Sequence, residues 1–95
     1  MTLRLCVLLW AADGREADLE AYEDTVLALI PRYGGRVVSR VRNDGAEGPR
    51  EVQVIHLPDE EAMQRYLVDP ERTALADVHA AVIARTDVLR VTTLA

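Results

Sequence analysis

Residues 36–57 read RVVSRVR, NDGAEGPR, EVQVIHL, and this stretch decides the fold. Strict alternation over Arg36–Arg42 puts Arg36, Val38, Arg40 and Arg42 on one face and Val37, Ser39 and Val41 on the other. A period of two marks a strand. Glu51–Leu57 alternates again, with Val52, Val54 and His56 opposed to Gln53, Ile55 and Leu57. The polar, glycine-bearing run Asn43–Pro49 between them makes the pair a hairpin.

Toward the N-terminus, Gly34-Gly35 stops whatever precedes the hairpin, because glycine accepts the left-handed helix cap cheaply. Before it, Leu19, Tyr22, Val26, Leu29, Ile30 and Tyr33 recur three or four apart, the stripe of one helix. Acidic residues crowd its first half, suiting the positive end of the helix dipole. Asp13 with Glu16 has the form of a capping box, and Pro31 is expected to loosen the last turn. Leu3–Ala11 is apolar and too short for a helix, hence a strand. Its odd face is aliphatic, and its even face is Arg4, Cys6, Leu8 and Trp10.

Toward the C-terminus, Asp59 is the expected cap of a second helix with Ala62, Met63, Tyr66 and Leu67 inward. Asp69-Pro70 breaks it, since Asp caps and Pro fits a first helical position. A further helix is expected from about Glu71 to Ala84, with Leu75, Val78, Val82 and Ile83 inward. The last strand is expected over Thr86–Leu94, Leu89, Val91 and Thr93 lying opposite Val88, Arg90 and Thr92.

The order is βαββαβ with a split second helix, the ferredoxin-like α+β sandwich, in one domain spanning residues 1–95. Both helices cover one face of the antiparallel sheet. The other face would expose Leu8, Trp10 and Val38, a patch that monomers rarely leave open. Two such faces pressed together make a symmetric dimer, an α+β barrel, around an arginine-bearing cleft.

Composition narrows the function. The 95 residues carry a net charge of −5, and every basic residue is arginine. Such a chain repels nucleic acid and anionic membrane surfaces. No apolar run approaches the roughly 20 residues that span a bilayer. The start enters a strand directly without a cleavage pattern, so the cytoplasm is the expected location. The single cysteine, Cys6, excludes an internal disulfide and a multi-cysteine metal site.

Gly34-Gly35-Arg36-Val37-Val38-Ser39-Arg40 resembles the Gly-Gly-Arg-x-x-x-Arg strand of a small, uncharacterised bacterial branch of the dimeric α+β barrel superfamily. Val54-Ile55-His56-Leu57-Pro58, Glu61-Ala62, Tyr66 and Asp69-Pro70-Glu71 resemble that branch's strand–helix segment, with departures at His56, Leu57 and Arg72. The resemblance covers about Gly34 to Leu75. Wider relatives of that superfamily include cofactor-independent monooxygenases of aromatic polyketides, polyketide cyclases, lactone isomerases and haem-degrading enzymes, so the name does not fix a reaction.

The candidate catalytic residues are His56, whose imidazole titrates near neutrality, and Arg40, whose forked donors hold a carboxylate, enolate or phenolate. Against these stand a hydrogen-bonded strand-end histidine and a surface or inter-subunit ion pair. If Ile55 and Leu57 face the helices, His56 faces the cleft. Trp10, Arg90, Val38 and Leu8 are the candidate substrate contacts, Trp10 by stacking on a planar ligand and Arg90 as a second anion anchor or a dimer salt bridge. Arg36 and Arg42 read as solvated, the tyrosines as core, Cys6 as a small buried hydrophobe and His79 as a half-exposed helix residue. The carboxylate runs, Glu23 among them, read as solvated helix surface. No metal or cofactor is expected.

The function read from these residues is small-molecule binding by a homodimer, with a cofactor-independent enzyme acting on a small aromatic or enolisable substrate as its catalytic form. The alternative is a cofactor-free monooxygenase or cyclase of polyketide-type metabolism. An accessory barrel without chemistry is the competing class. An RNA-binding sheet is set aside because the chain is acidic and its third strand lacks aromatics.

Overall fold

Each period-two segment becomes a strand in the computed structural model, which describes residues 2–94. Strand β1 is Leu3–Ala11, β2 Arg36–Arg42, β3 Glu51–Leu57 and β4 Ile83–Arg90. They form one four-stranded sheet in the order β2-β3-β1-β4, every neighbouring pair antiparallel. Helix α1, Glu16–Leu27, crosses between β1 and β2. The second crossover is cut into α2, Glu60–Leu67, α3, Pro70–Thr73, and α4, Ala76–Val82. This is the ferredoxin-like α+β fold. No helix among the described residues is long and apolar enough to cross a membrane.

Local chemistry places most of the boundaries. Asp59 accepts the Ala62 amide at 2.8 Å and starts α2; Asp69 accepts the Glu71 amide at 2.8 Å with Pro70 at the first helical position of α3. Pro31 converts the end of the first crossover to a 3-10 turn, Ile30–Tyr33, which Gly34 closes at φ 76°. Gly35 allows close approach: a Cβ there would lie 2.6 Å from Leu57 Cδ2 and 2.7 Å from the His56 carbonyl oxygen.

Four expectations are corrected. The Asp13 capping box does not form, because α1 begins two residues later with Arg15 at its cap and no side chain bonding there. The long helix from Glu71 to Ala84 is two short ones, and Val78 points to solvent while Leu75, His79 and Val82 face inward. Strand β4 starts at Ile83 rather than Thr86, since Val82 and Ile83 are both pinned in the core and the backbone turns extended at Ile83. Fourth, β2 does not alternate strictly. Its register to β3 slips between Val37 and Ser39, which leaves Val38 as the extra residue of a bulge on an edge strand. Beyond a one-residue slip every side chain changes face. Arg36 pairs with His56 on the uncovered face, whereas Arg40 pairs with Gln53 and Arg42 with Glu51 on the helix face.

The core lies between helices and sheet in two clusters. Leu5, Ile30, Ile55, Leu57, Ala62 and Tyr66 belong to one, beneath α2 and the 3-10 turn. Leu9, Leu19, Tyr22, Val26, Val82 and Ile83 form the other, beneath α1 and α4. Val7 packs against both.

Candidate functional site: a cavity between the two core clusters

The seam between the clusters is not filled. A cavity of ≈230 Å³ lies there, walled by aliphatic side chains of β1, β3, α1 and α2 and reached by the polar groups of Glu23, Gln53, Tyr66, Arg72, His79 and Thr86. A cavity near 150 Å³ holds benzene, so this one suits a single substituted ring. A few polar groups converging on an apolar hollow is the usual form of a small-molecule site.

Glu23 comes from α1. It lies four residues after Leu19 and three before Val26, which puts it on the buried stripe, and it is only 6% exposed. Burial raises its carboxyl affinity for a proton; the Gln53 hydrogen bond opposes that, and the neighbouring Glu51 adds to it. Gln53 Nε2 donates to Glu23 Oε1 at 2.7 Å and to Glu51 Oε2 at 2.6 Å. Glu51 is 2% exposed and is gripped by Arg40 through Nε at 2.7 Å and Nη2 at 3.1 Å. Arg40 also donates to Asp24 and to the Glu20 carbonyl. A continuous network thus runs from the cavity to the surface, with Glu23 at its inner end.

Arg72 enters from the α3 segment. Its Cζ sits 5.2 Å from the Tyr66 ring centroid, its Nη1 donates to the Leu67 carbonyl, and its buried Nε has no partner. Tyr66 donates to the Val26 carbonyl at 3.1 Å, and burial pushes its phenol up to about 12. His79 packs edge-on against Tyr22 at 5.6 Å; burial, with the Arg72 charge, lowers its imidazole below 6.5. The site therefore holds a buried carboxyl with raised proton affinity and a guanidinium with a spare donor, in a largely apolar setting.

None of the residues singled out in sequence lines this cavity. His56 lies on the uncovered face, as the inward Ile55 and Leu57 require, between Arg4 on β1 and Arg36 on β2. Leu8 shares that face opposite Val52 and Asp87, and Trp10 lies there under the Arg85 guanidinium at 4.4 Å. Val38 sits exposed in the bulge. Arg40 and Arg90 lie on the helix side at opposite edges of the sheet, where Arg90 pairs with Glu60. The uncovered face thus holds Leu8, Trp10 and His56 but not the two arginines grouped with them. Of the polar residues lining the cavity, the sequence placed Glu23 on solvated helix surface and His79 on a half-exposed helix face, and gave Gln53 and Arg72 no role in a site. A signal existed for three of them: Glu23 and His79 each fall three before and four after apolar stripe residues, and Gln53 alternates with Ile55 and Leu57.

Among the described residues no cluster of His, Cys, Asp and Glu has a geometry fit for a metal ion. No protein-family model matches the chain, and no curated protein matches it. Solved structures do. The chain is similar to a candidate antibiotic biosynthesis monooxygenase from Bacteroides thetaiotaomicron, at 12% identity and TM-score 0.79, over 99% of this chain and 90% of that one. It is similar to SnoaB, a cofactor-independent oxygenase from Streptomyces nogalater, at 18% identity and TM-score 0.71, over 98% and 96%. It is also similar to a dimeric protein of unknown function and ferredoxin-like fold from Bacteroides fragilis, at 12% identity and TM-score 0.72, over 97% and 96%. At these identities the likeness establishes the fold.

Proposed function

We propose that this chain is a homodimeric, cofactor-independent enzyme that binds a small, planar, ionisable molecule, a phenol or an enol, in the cavity between sheet and helices. Glu23 takes the proton from the substrate hydroxyl or activated C–H. Arg72 offers its unpaired Nε–H to the oxyanion that results. The walls are largely apolar, which strengthens both interactions. Cofactor-free oxygenation, cyclisation and isomerisation all begin with such an anion, and two of the similar structures are named as oxygenases. The observation that carries the reading is the buried Glu23, 6% exposed and with its proton affinity raised, on the wall of an apolar cavity. Arg40 is a positioning residue, holding Glu51 and, through Gln53, the inner carboxyl.

The uncovered face supports the homodimer. Leu8, Cys6, Val52 and Val54 line its middle, and Val41 and Leu89 at its edges are 53% and 52% exposed. A second copy is the occupant whose surface matches that strip.

A thermal-shift panel of substituted phenols and aromatic 1,3-diketones tests the reading. A binder is expected to raise the melting temperature of both the unmodified chain and Glu23→Gln, and to be consumed only by the former. Removing a general base typically costs 10²–10⁴-fold in rate. Equal turnover by Glu23→Gln would reject Glu23 as the base, and binding without turnover by the unmodified chain would leave an accessory binding protein.

A further inference from the structure

Across one end of the uncovered face, three strands set basic side chains side by side. Arg36 on β2 is directly opposite His56 on β3, and His56 is directly opposite Arg4 on β1. Like charges placed opposite one another on a sheet destabilise it. Every arginine outside this row reaches a carboxylate or lies over a tyrosine ring. Among the described residues Arg4 and Arg36 do neither. His56 Nε2 is buried and has no hydrogen-bond partner. The row borders an open hollow of ≈470 Å³ whose further walls are Thr2, Gly34, Gly35, Leu57 and Pro58, with no carboxylate among them.

We infer that this row is a binding site for a doubly charged oxyanion, a phosphate group carried by a small molecule. Arg4 and Arg36 clamp it from either side, and His56 donates from between them once protonated. The strands of the uncovered face offer a second copy no free carboxylate to supply the missing charge. The carboxylate that the uncovered face carries is Asp87, which Arg85 already holds at 2.7 Å. The ligand must therefore come from outside the protein. Burial first, and then Arg36 and Arg4, hold the His56 imidazole below 6.5. No acidic group lines the hollow to oppose them. A bound dianion reverses the balance, so phosphate raises the imidazole pKa.

The test is an NMR titration of the full chain with inorganic phosphate at fixed ionic strength, following the His56 and His79 imidazole signals. A saturable shift of His56 with a raised pKa is expected, while His79 stays still. Arg4→Gln and Arg36→Gln should each weaken phosphate about ten-fold or more, the loss of one charge-assisted contact. A linear, unsaturated response, or affinity unchanged in both variants, would overturn the assignment. So would a His56 signal that follows protein concentration rather than phosphate, which would make the row a subunit contact.

Discussion

The two faces of this one sheet treat charge in opposite ways. On the helix face, Glu51 is closed off from water and every polar atom of it has a partner: Arg40 grips both oxygens and Gln53 bridges to Glu23. On the uncovered face, Arg4, His56 and Arg36 stand in a row with no opposite charge, beside a strip of aliphatic side chains. Burial explains the difference. A charge sealed between two layers must be paired, because desolvation is not repaid otherwise. A charge at an open face can be served by water or a ligand. The sealed face can therefore afford one group, Glu23, held out of its ordinary ionisation range, and such a group is suited to proton transfer.

The largest effect expected comes from breaking the sealed network. Arg40→Met strands the Glu51 carboxylate and should cost about 3–5 kcal/mol in urea denaturation. The open face should tolerate a comparable insult: Arg36→Gln removes a charge that has no partner and should leave stability within about 0.5 kcal/mol. Equal losses from the two would erase the contrast between the faces.

Next comes the strip. Leu89→Glu places a charge opposite Cys6 at the edge of the uncovered face. It should weaken dimerisation by about 2 kcal/mol, roughly thirty-fold in the dissociation constant, in sedimentation equilibrium. The cavity lies on the other side, so ligand-induced stabilisation should survive.

The smallest effect is the clearest in sign. Glu23 is a carboxyl with raised proton affinity, so the folded state holds its proton above the unfolded value of 4.5 and loses stability as pH rises through the folded pKa. Glu23→Gln removes that loss and should stabilise the chain near neutrality by about 0.5–2 kcal/mol. His56 and His79 act the other way. Their folded pKa values lie below 6.5, so the unfolded chain takes up their protons first and stability falls as pH drops from there. In the unmodified chain these trends oppose each other on acidification. In Glu23→Gln only the histidine loss remains, and urea midpoints between pH 7.5 and 5 should fall steadily.

The sequence made the fold legible because each element carries its own punctuation. Asp59, Asp69-Pro70, Pro31 and Gly34 act locally, and the structure uses each where it was read. Alternation set His56 opposite Ile55 and Leu57, but which side meets the helices is fixed only by the burial of Ile55 and Leu57 in the structure. The facing of Arg40 did not follow from alternation, because one extra residue in an edge strand reverses everything beyond it, and neither Val38 nor its neighbours advertise a bulge. Glu23 was hidden by its company: in a helix dense in acids it reads as surface, although its spacing from Leu19 and Val26 puts it inside. Arg72 enters the cavity from α3, a short helix separate from α4, and the periodicity of residues 71–84 conceals that break.

The most direct measurement is a backbone and side-chain NMR map of the chain titrated with a binding phenol from the panel. Binding on the helix side predicts saturable shifts at Glu23, Gln53, Tyr66, Arg72 and His79, with Leu8, Val54 and Trp10 unmoved. Shifts confined to Leu8, Val54, Trp10 and His56 would place the small-molecule site on the uncovered face and contradict the account.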